Sequence, residues 1–141
     1  MLPNISKKIK KIYRSKDSRG SIISIVEEKM NNISIIKCTA QSIRSNHFHI
    51  KNWHFMYVLQ GVMEYFFENK NKIFFIKLKK GDLVFTPPKE LHATYFPAKT
   101  LLLVASKNKR DQKTYEKDTV RKKFIDFKNI KSIKANATEI K

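Results

Sequence analysis

The chain has 141 residues, enough for one compact domain and too few for two of ordinary size, and its 41% apolar and 11% aromatic content excludes a disordered chain. Its formal charge is +18, yet among 30 basic residues only Arg14, Arg19, Arg44, Arg110 and Arg121 are arginine, the residue suited to bidentate phosphate recognition. The lysines scatter through every segment instead of forming one stripe, which describes a solvated surface and argues against a nucleic-acid partner.

The opening stretch MLPNISKKIKKIYRSK is basic but has no apolar run behind it, so no secretory signal is expected. KDSRG follows as a turn, with Asp17 and Ser18 able to bond the local backbone and Gly20 permissive. Two β-rich runs come next, Ser21 to Glu27 and Ile33 to Ala40, separated by Asn31 and Asn32. Further short runs rich in Ile, Val, Phe and Tyr cover Trp53 to Gln60, Val62 to Glu68, Ile73 to Leu78, Leu83 to Thr86, His92 to Phe96 and Thr100 to Ser106. Gly61, the NKN, KKGD and PPKE stretches and Pro97 break them apart. Short strands at this spacing predict an all-β sandwich or small barrel.

After Ser106 the chain turns polar. Tyr115, Val120, Phe124, Ile125 and Phe127 stand at spacings that partly suit a helix, so residues 107–141 read as a helical or irregular arm packed on the sandwich or on a second subunit. The last stretch, KSIKANATEIK, reads as a frayed end. The expected organisation is a single domain over residues 1–141 with its core at about residues 17–106. Cys38 stands alone, so no internal disulfide forms. No apolar run approaches a membrane span, and the expected location is the cytoplasm.

Histidine is scarce and clustered. Three of the four fall within NHFHIKNWH, and His92 lies in GDLVFTPPKELH. On a strand alternate side chains share a face, so His47 and His49 point together and Phe48 away. His54 is an odd step further on, and the IKN stretch supplies a turn that resets the parity. On the next run His54, Met56, Val58 and Gln60 share one face, and Trp53, Phe55, Tyr57 and Leu59 the other.

These positions resemble the two cupin motifs: His47, His49, His54 and Gly61 fill the first, and Gly81, Pro87 and His92 the second. Two residues depart from the pattern. His54 stands where metal-binding cupins usually carry Glu, and Lys89 where the second motif usually carries Gly. The resemblance implies a cupin double-stranded β-helix, or jelly roll, with all four histidines around one pocket. SKDSRGSIISIVEE resembles the Asp-x-Arg-Gly opening of dTDP-4-keto-6-deoxyhexose 3,4-ketoisomerases and dTDP-4-dehydrorhamnose 3,5-epimerases. IRSNHFHIK is similar to the ketoisomerase Arg-Gly-x-His-x-His-Lys segment, with Ser45 in place of the glycine and Ile50 inserted before Lys51. LLLVASKNKRDQKTYEKDTVR is similar to the last strand and tail of that family.

The family implies isomerisation or epimerisation of a nucleotide-linked 4-keto-6-deoxy sugar in bacterial surface-polysaccharide or lipopolysaccharide synthesis. Such a reaction takes a proton from one ring carbon and returns one to its neighbour, and imidazole suits both halves because it titrates near neutrality. The expected catalytic residues are His49 as proton shuttle, His47 as its partner and Tyr95 as an additional acid. Arg44, Lys51, His54 and His92 are the expected substrate-binding residues. No cofactor is required for this chemistry, although His47, His49, His54 and His92 make a nitrogen donor set suited to Fe, Ni, Cu or Zn. The competing readings are a metal-dependent cupin enzyme acting on a small carbonyl or carboxylate compound, and a non-catalytic sugar-binding cupin. The expected partners are a nucleotide-sugar substrate and a second copy in a homodimer, without nucleic acid or membrane.

Overall fold

A computed structural model describes residues 2–10 and 12–141. Its strands are β1 (Lys7–Lys8), β2 (Tyr13–Asp17), β3 (Gly20–Ser24), β4 (Asn32–Cys38), β5 (Ser42–His49), β6 (His54–Gln60), β7 (Val62–Asn69), β8 (Lys72–Lys79), β9 (Leu83–Thr86), β10 (His92–Phe96) and β11 (Thr100–Ser106). Helix α1 (Gln112–Asp118), β12 (Thr119–Arg121), helix α2 (Ile130–Asn136) and β13 (Thr138–Glu139) follow. One sheet runs β1-β9-β6-β11-β4 and the other β12-β5-β10-β7-β8-β13, with β2 and β3 forming a separate hairpin. The two large sheets face each other as an open jelly roll, in agreement with the expected all-β class.

Each strand sorts its side chains by parity. Met56 and Val58 from β6, Met63, Tyr65 and Phe67 from β7, Ile76 and Leu78 from β8 and Phe96 from β10 meet between the sheets. Trp53, Phe55 and Tyr57 project the other way, where Ile9, Ile12, Ile25, Val26 and Met30 cover them. Phe66, Phe75 and Ala93 form a third cluster on the outside of the six-stranded sheet. Central strands thus bury both faces, which is why they read as continuous apolar runs. Phe66 and Phe67 are neighbours in sequence, lie on opposite faces, and are both fully buried.

The two ends of the chain differ from expectation. Tyr13–Asp17 forms a hairpin strand within the basic leader, because Asp17 Oδ1 accepts the Arg19 amide at 2.8 Å and closes the turn onto β3. The C-terminal stretch is not frayed: α2 is followed by β13, which runs parallel to β8 with Thr138 opposite Phe74. Phe124, Ile125, Ile130 and Ile133 pack on Phe66, Phe75 and Ala93, so the arm lies on its own sandwich. Lys134 Nζ also pairs with the nearly buried Glu64 carboxylate of β7 at 2.5 Å. The long polar stretches hid these anchors, each of which is one or two residues wide. Among the described residues no helix is long and apolar enough to cross a membrane.

Candidate active site

At one end of the sandwich, apolar filling between the sheets gives way to a cavity of about 80 Å³. Its walls include His54, Met56, Val104 and Ser106 from the five-stranded sheet and Arg44, His47, His49 and Thr94 from the six-stranded sheet. Arg110 and Tyr115 from the arm close it.

A β-bulge brings Arg44 onto the same face as the histidines. Arg44 and His47 are three positions apart, an odd step that an unbroken strand would send to opposite faces. Opposite β10 the register runs His92 to His47 and then Ala93 to Ser45, leaving Asn46 as the extra residue. Ser45 and Asn46 both lie in the left-handed region, at φ 73° and 57°. The glycine of the ketoisomerase segment corresponds to Ser45, a position where this backbone favours a residue without Cβ. The Asn46 side chain, pushed outward, holds the arm: its Oδ1 accepts the Phe124 and Ile125 amides at 3.0 Å, and its Nδ2 donates to the Ile125 carbonyl at 3.0 Å.

The four histidines meet. Ring centroids of His47 lie 4.6 Å from His49 and 4.9 Å from His92, and His54 lies 5.3 Å from His92. All four are buried, His92 completely. The His92 Nδ1 faces the Glu90 carbonyl at 3.0 Å, an acceptor, so this nitrogen carries the proton. The Nε2 of His92 and the Nδ1 of His54 are buried without a hydrogen-bond partner.

Burial disfavours the charged imidazole at every one of these positions. It pushes His47 down to about 2, with His92, His49, Arg121 and Arg110 adding repulsion. His92 is pushed down to about 4, chiefly by burial, and His54 lies well below its usual range for the same reason. His49 is also lowered by burial, but the Asp118 carboxylate, 3.9 Å away, opposes the shift. His49 is therefore the imidazole with an anion placed to support its protonated form, while the neighbours that act on the charge of His47, namely His92, His49, Arg121 and Arg110, all oppose it.

The remaining expected site residues divide. Arg44 lines the cavity, whereas Lys51 is exposed in the turn after β5 and contributes only its backbone amide, to Asp118 at 2.8 Å. Tyr95 is a correction: it lies on the opposite face of β10 from His92 and Thr94, packed with Ile43 and the arm outside the sheet. The phenol that does reach the cavity is Tyr115, whose ring centroid is 5.5 Å from His49 and 6.2 Å from His47. Arg110 stacks over it at 5.1 Å. Sequence reasoning assigned Tyr115 to helix packing. The signal available was the similarity of the TYEKDTVR stretch to the ketoisomerase tail, which carries Tyr115, Asp118, Thr119 and Arg121 together.

The model of the AraC-like ligand binding domain family matches residues 33–100. No curated protein is matched by the sequence. Among solved structures, the sugar 3,4-ketoisomerase QdtA from Thermoanaerobacterium thermosaccharolyticum, in complex with TDP, superposes with a TM-score of 0.70 at 17% identity, over 95% of this chain and 98% of that one. The TDP-fucose-3,4-ketoisomerase WlaRA from Campylobacter jejuni gives 0.68 at 18% identity, over 82% and 87%. The capsular polysaccharide assembling protein CapF from Staphylococcus aureus gives 0.61 at 16% identity, over 81% of this chain and 33% of that one. Topology and matches agree on the architecture: this chain carries the cupin fold.

Proposed function

We propose that the chain is a sugar-nucleotide isomerase that moves a carbonyl between neighbouring carbons of a 4-keto-6-deoxy hexose, in the manner of a 3,4-ketoisomerase. The observation that carries this reading is a single buried cavity holding neutral imidazoles, one of them backed by a carboxylate, beside the Tyr115 phenol and two guanidinium groups. The resemblance of the fold to structures of TDP-sugar 3,4-ketoisomerases supports it. In this reaction His49 takes the proton from carbon 3 of a 4-keto sugar, leaving an enediolate across carbons 3 and 4. A proton returned to carbon 4, with loss of the proton on the carbon 3 hydroxyl and protonation of the former carbonyl oxygen, yields the 3-keto isomer. Tyr115 is placed to exchange a proton with oxygen, and Arg44 and Arg110 to stabilise the enediolate and the diphosphate. The cavity is small enough to take the reacting edge of a ring and leave the nucleotide outside. The resemblance to CapF supports a role in surface-polysaccharide synthesis. The uncovered outer face of edge strand β4, with Ile33 63% and Ile35 55% exposed, supports a homodimer.

The test is turnover: purified protein incubated with TDP-4-keto-6-deoxyglucose should convert it to the 3-keto isomer, seen in the ring-proton NMR spectrum. Lack of conversion of this and related TDP-4-keto sugars would overturn the reading.

A separate observation favours a metal-dependent cupin. One ring nitrogen from each of His47, His49 and His92 lies within 4.8 Å of the others, and the unpartnered Nε2 of His92 is a free donor. These three nitrogens fit Fe, Ni, Cu or Zn, which would polarise a substrate carbonyl as a Lewis acid. His54 stands outside the trio, so the four-histidine set reduces to three. Elemental analysis of untagged protein separates the readings, since stoichiometric transition metal that is lost in His92→Ala supports the metal-dependent one.

A further inference from the structure

We infer that Thr119 is a positioning residue that fixes the proton of His49 on Nδ1, so that His49 presents a bare Nε2 to the cavity and begins any reaction as a proton acceptor. The inference deepens the proposed isomerase reading and rests on it for its catalytic consequence, but the tautomer itself is a property of the free protein.

The argument follows the protons. Thr119 Oγ1 lies 2.6 Å from the Tyr115 carbonyl and 3.3 Å from His49 Nδ1. A hydroxyl has one proton, and the carbonyl can only accept, so the Thr119 proton is committed to Tyr115. Toward His49 the hydroxyl therefore offers only a lone pair. The other group facing Nδ1 is Asp118 Oδ2 at 3.9 Å. Asp118 already accepts the Lys51 amide on Oδ1 at 2.8 Å and the Asn52 amide on Oδ2 at 2.9 Å, so it too acts as an acceptor. Two acceptors and no donor surround Nδ1. A lone pair there would be repelled by both, whereas an N–H satisfies the nearer one and points toward the carboxylate.

The arm supplies both acceptors by strand pairing. Thr119 sits directly opposite His49 where β12 adds to the edge of β5, and the Asn46 staple holds the following residues in place. His92 is fixed the same way by the Glu90 carbonyl. His49, which lines the cavity, and the fully buried His92 thus both carry Nδ1 protons and bare Nε2 atoms. The direction of the first proton transfer, from substrate to protein, is built into the ground state. Once protonated on Nε2, His49 itself holds the proton to be returned to the neighbouring carbon, and Tyr115, its ring 5.5 Å from His49, lies beside it to exchange a proton with oxygen.

The experiment is a long-range proton–nitrogen correlation spectrum of the nitrogen-15-labelled full chain near neutral pH, where protonated and bare ring nitrogens resonate far apart. The His49 signals are assigned by their absence in His49→Gln. The expected result is a single Nδ1–H tautomer for His49, with the ratio of Nδ1–H to Nε2–H falling about tenfold in Thr119→Val and restored in Thr119→Ser. With TDP-4-keto-6-deoxyglucose, Thr119→Val should lose about tenfold in kcat at little changed KM, and Thr119→Ser should recover it. An Nε2–H tautomer in the unsubstituted protein, or a tautomer ratio unmoved by Thr119→Val, overturns the inference. Absence of turnover with an Nδ1–H tautomer would overturn the proposed reaction and leave the positioning role standing.

Discussion

Acidification should destabilise this protein through its active-site histidines, with the loss beginning above the range where carboxylates titrate. An ordinary imidazole titrates near 6.5, whereas folded His92 and His47 are held at about 4 and about 2. The unfolded chain therefore binds more protons than the folded one once the pH falls below about 6.5, and stability rises with pH across that window. The contribution is fully present above 6.5 and is lost as the pH falls, down to about 4 for His92 and further for His47. Between pH 7.5 and pH 4.5 the linkage removes about 2 to 3 kcal/mol for each, or about 5 kcal/mol for the two together. That is comparable to the whole stability of many small domains, about 5 to 15 kcal/mol.

His54 and His49, also lowered by burial, add losses of the same sign, whereas the carboxylates leave most of this window clear. Asp17, Asp111, Glu116 and Asp126 are held below their ordinary values by hydrogen bonds, so their losses begin at lower pH. Glu90, raised by burial, works in the opposite sense, because the folded state keeps its proton more readily. The assay is urea unfolding at pH 7.5 and pH 4.5, on the unsubstituted protein and on a His47→Gln, His92→Gln double variant. The expected result is a large loss for the former and a smaller one, carried by His54 and His49, for the latter. A change below about 1 kcal/mol, or one that the double variant reproduces in full, would refute the assignment of these imidazoles to a desolvated site.

Three further outcomes follow from the backbone. Gly61→Ala should destabilise by about 3 kcal/mol in the same urea assay, since a Cβ there would lie 2.4 Å from the Lys99 carbonyl oxygen and Gly61 sits at φ +93°. A loss below about 1 kcal/mol would show that the β6–β7 turn has slack. Lys89→Gly should be neutral or stabilising by up to about 1 kcal/mol, because exposed Lys89 occupies the left-handed region at φ 66°; clear destabilisation would contradict that. Asn46→Ala removes three hydrogen bonds to the arm, about 3 kcal/mol of anchoring, and should speed hydrogen exchange at residues 119–125 by about a hundredfold. Unchanged exchange there would mean that the apolar seat of Ile125 holds the arm by itself.

The parts of the fold that repeat a period were legible in the sequence. The β6 parity put His54, Met56 and Val58 on one face and Trp53, Phe55 and Tyr57 on the other, and the structure keeps the two sets apart, the first facing between the sheets. The meeting of the four histidines was also legible, since two turns and alternation on the strands suffice to bring them together. What parity does not carry is a bulge. The extra residue at Asn46 leaves no periodic trace, yet it puts Arg44 and His47 on one face. The arm was unreadable for a related reason: it is held by side-chain to backbone bonds at Asn46 and Asp118, by a three-residue strand and by one buried residue, Ile125. None of these has a period, so Tyr115 was read only as a packing residue of the arm and Thr119 was not singled out. Tyr95 was chosen for nearness to His92 along the chain, where an odd step sends it to the outer face.

The central claim is that His49 moves a proton between ring carbons inside the histidine cavity, and solvent exchange measures it most directly. In deuterium oxide with a TDP-4-keto-6-deoxy sugar, the protein should place solvent deuterium on the ring carbon next to the carbonyl, and His49→Gln should reduce the rate at least a hundredfold while still binding TDP. Equal exchange in His49→Gln, or none in the unsubstituted protein with the sugar bound, would contradict the account.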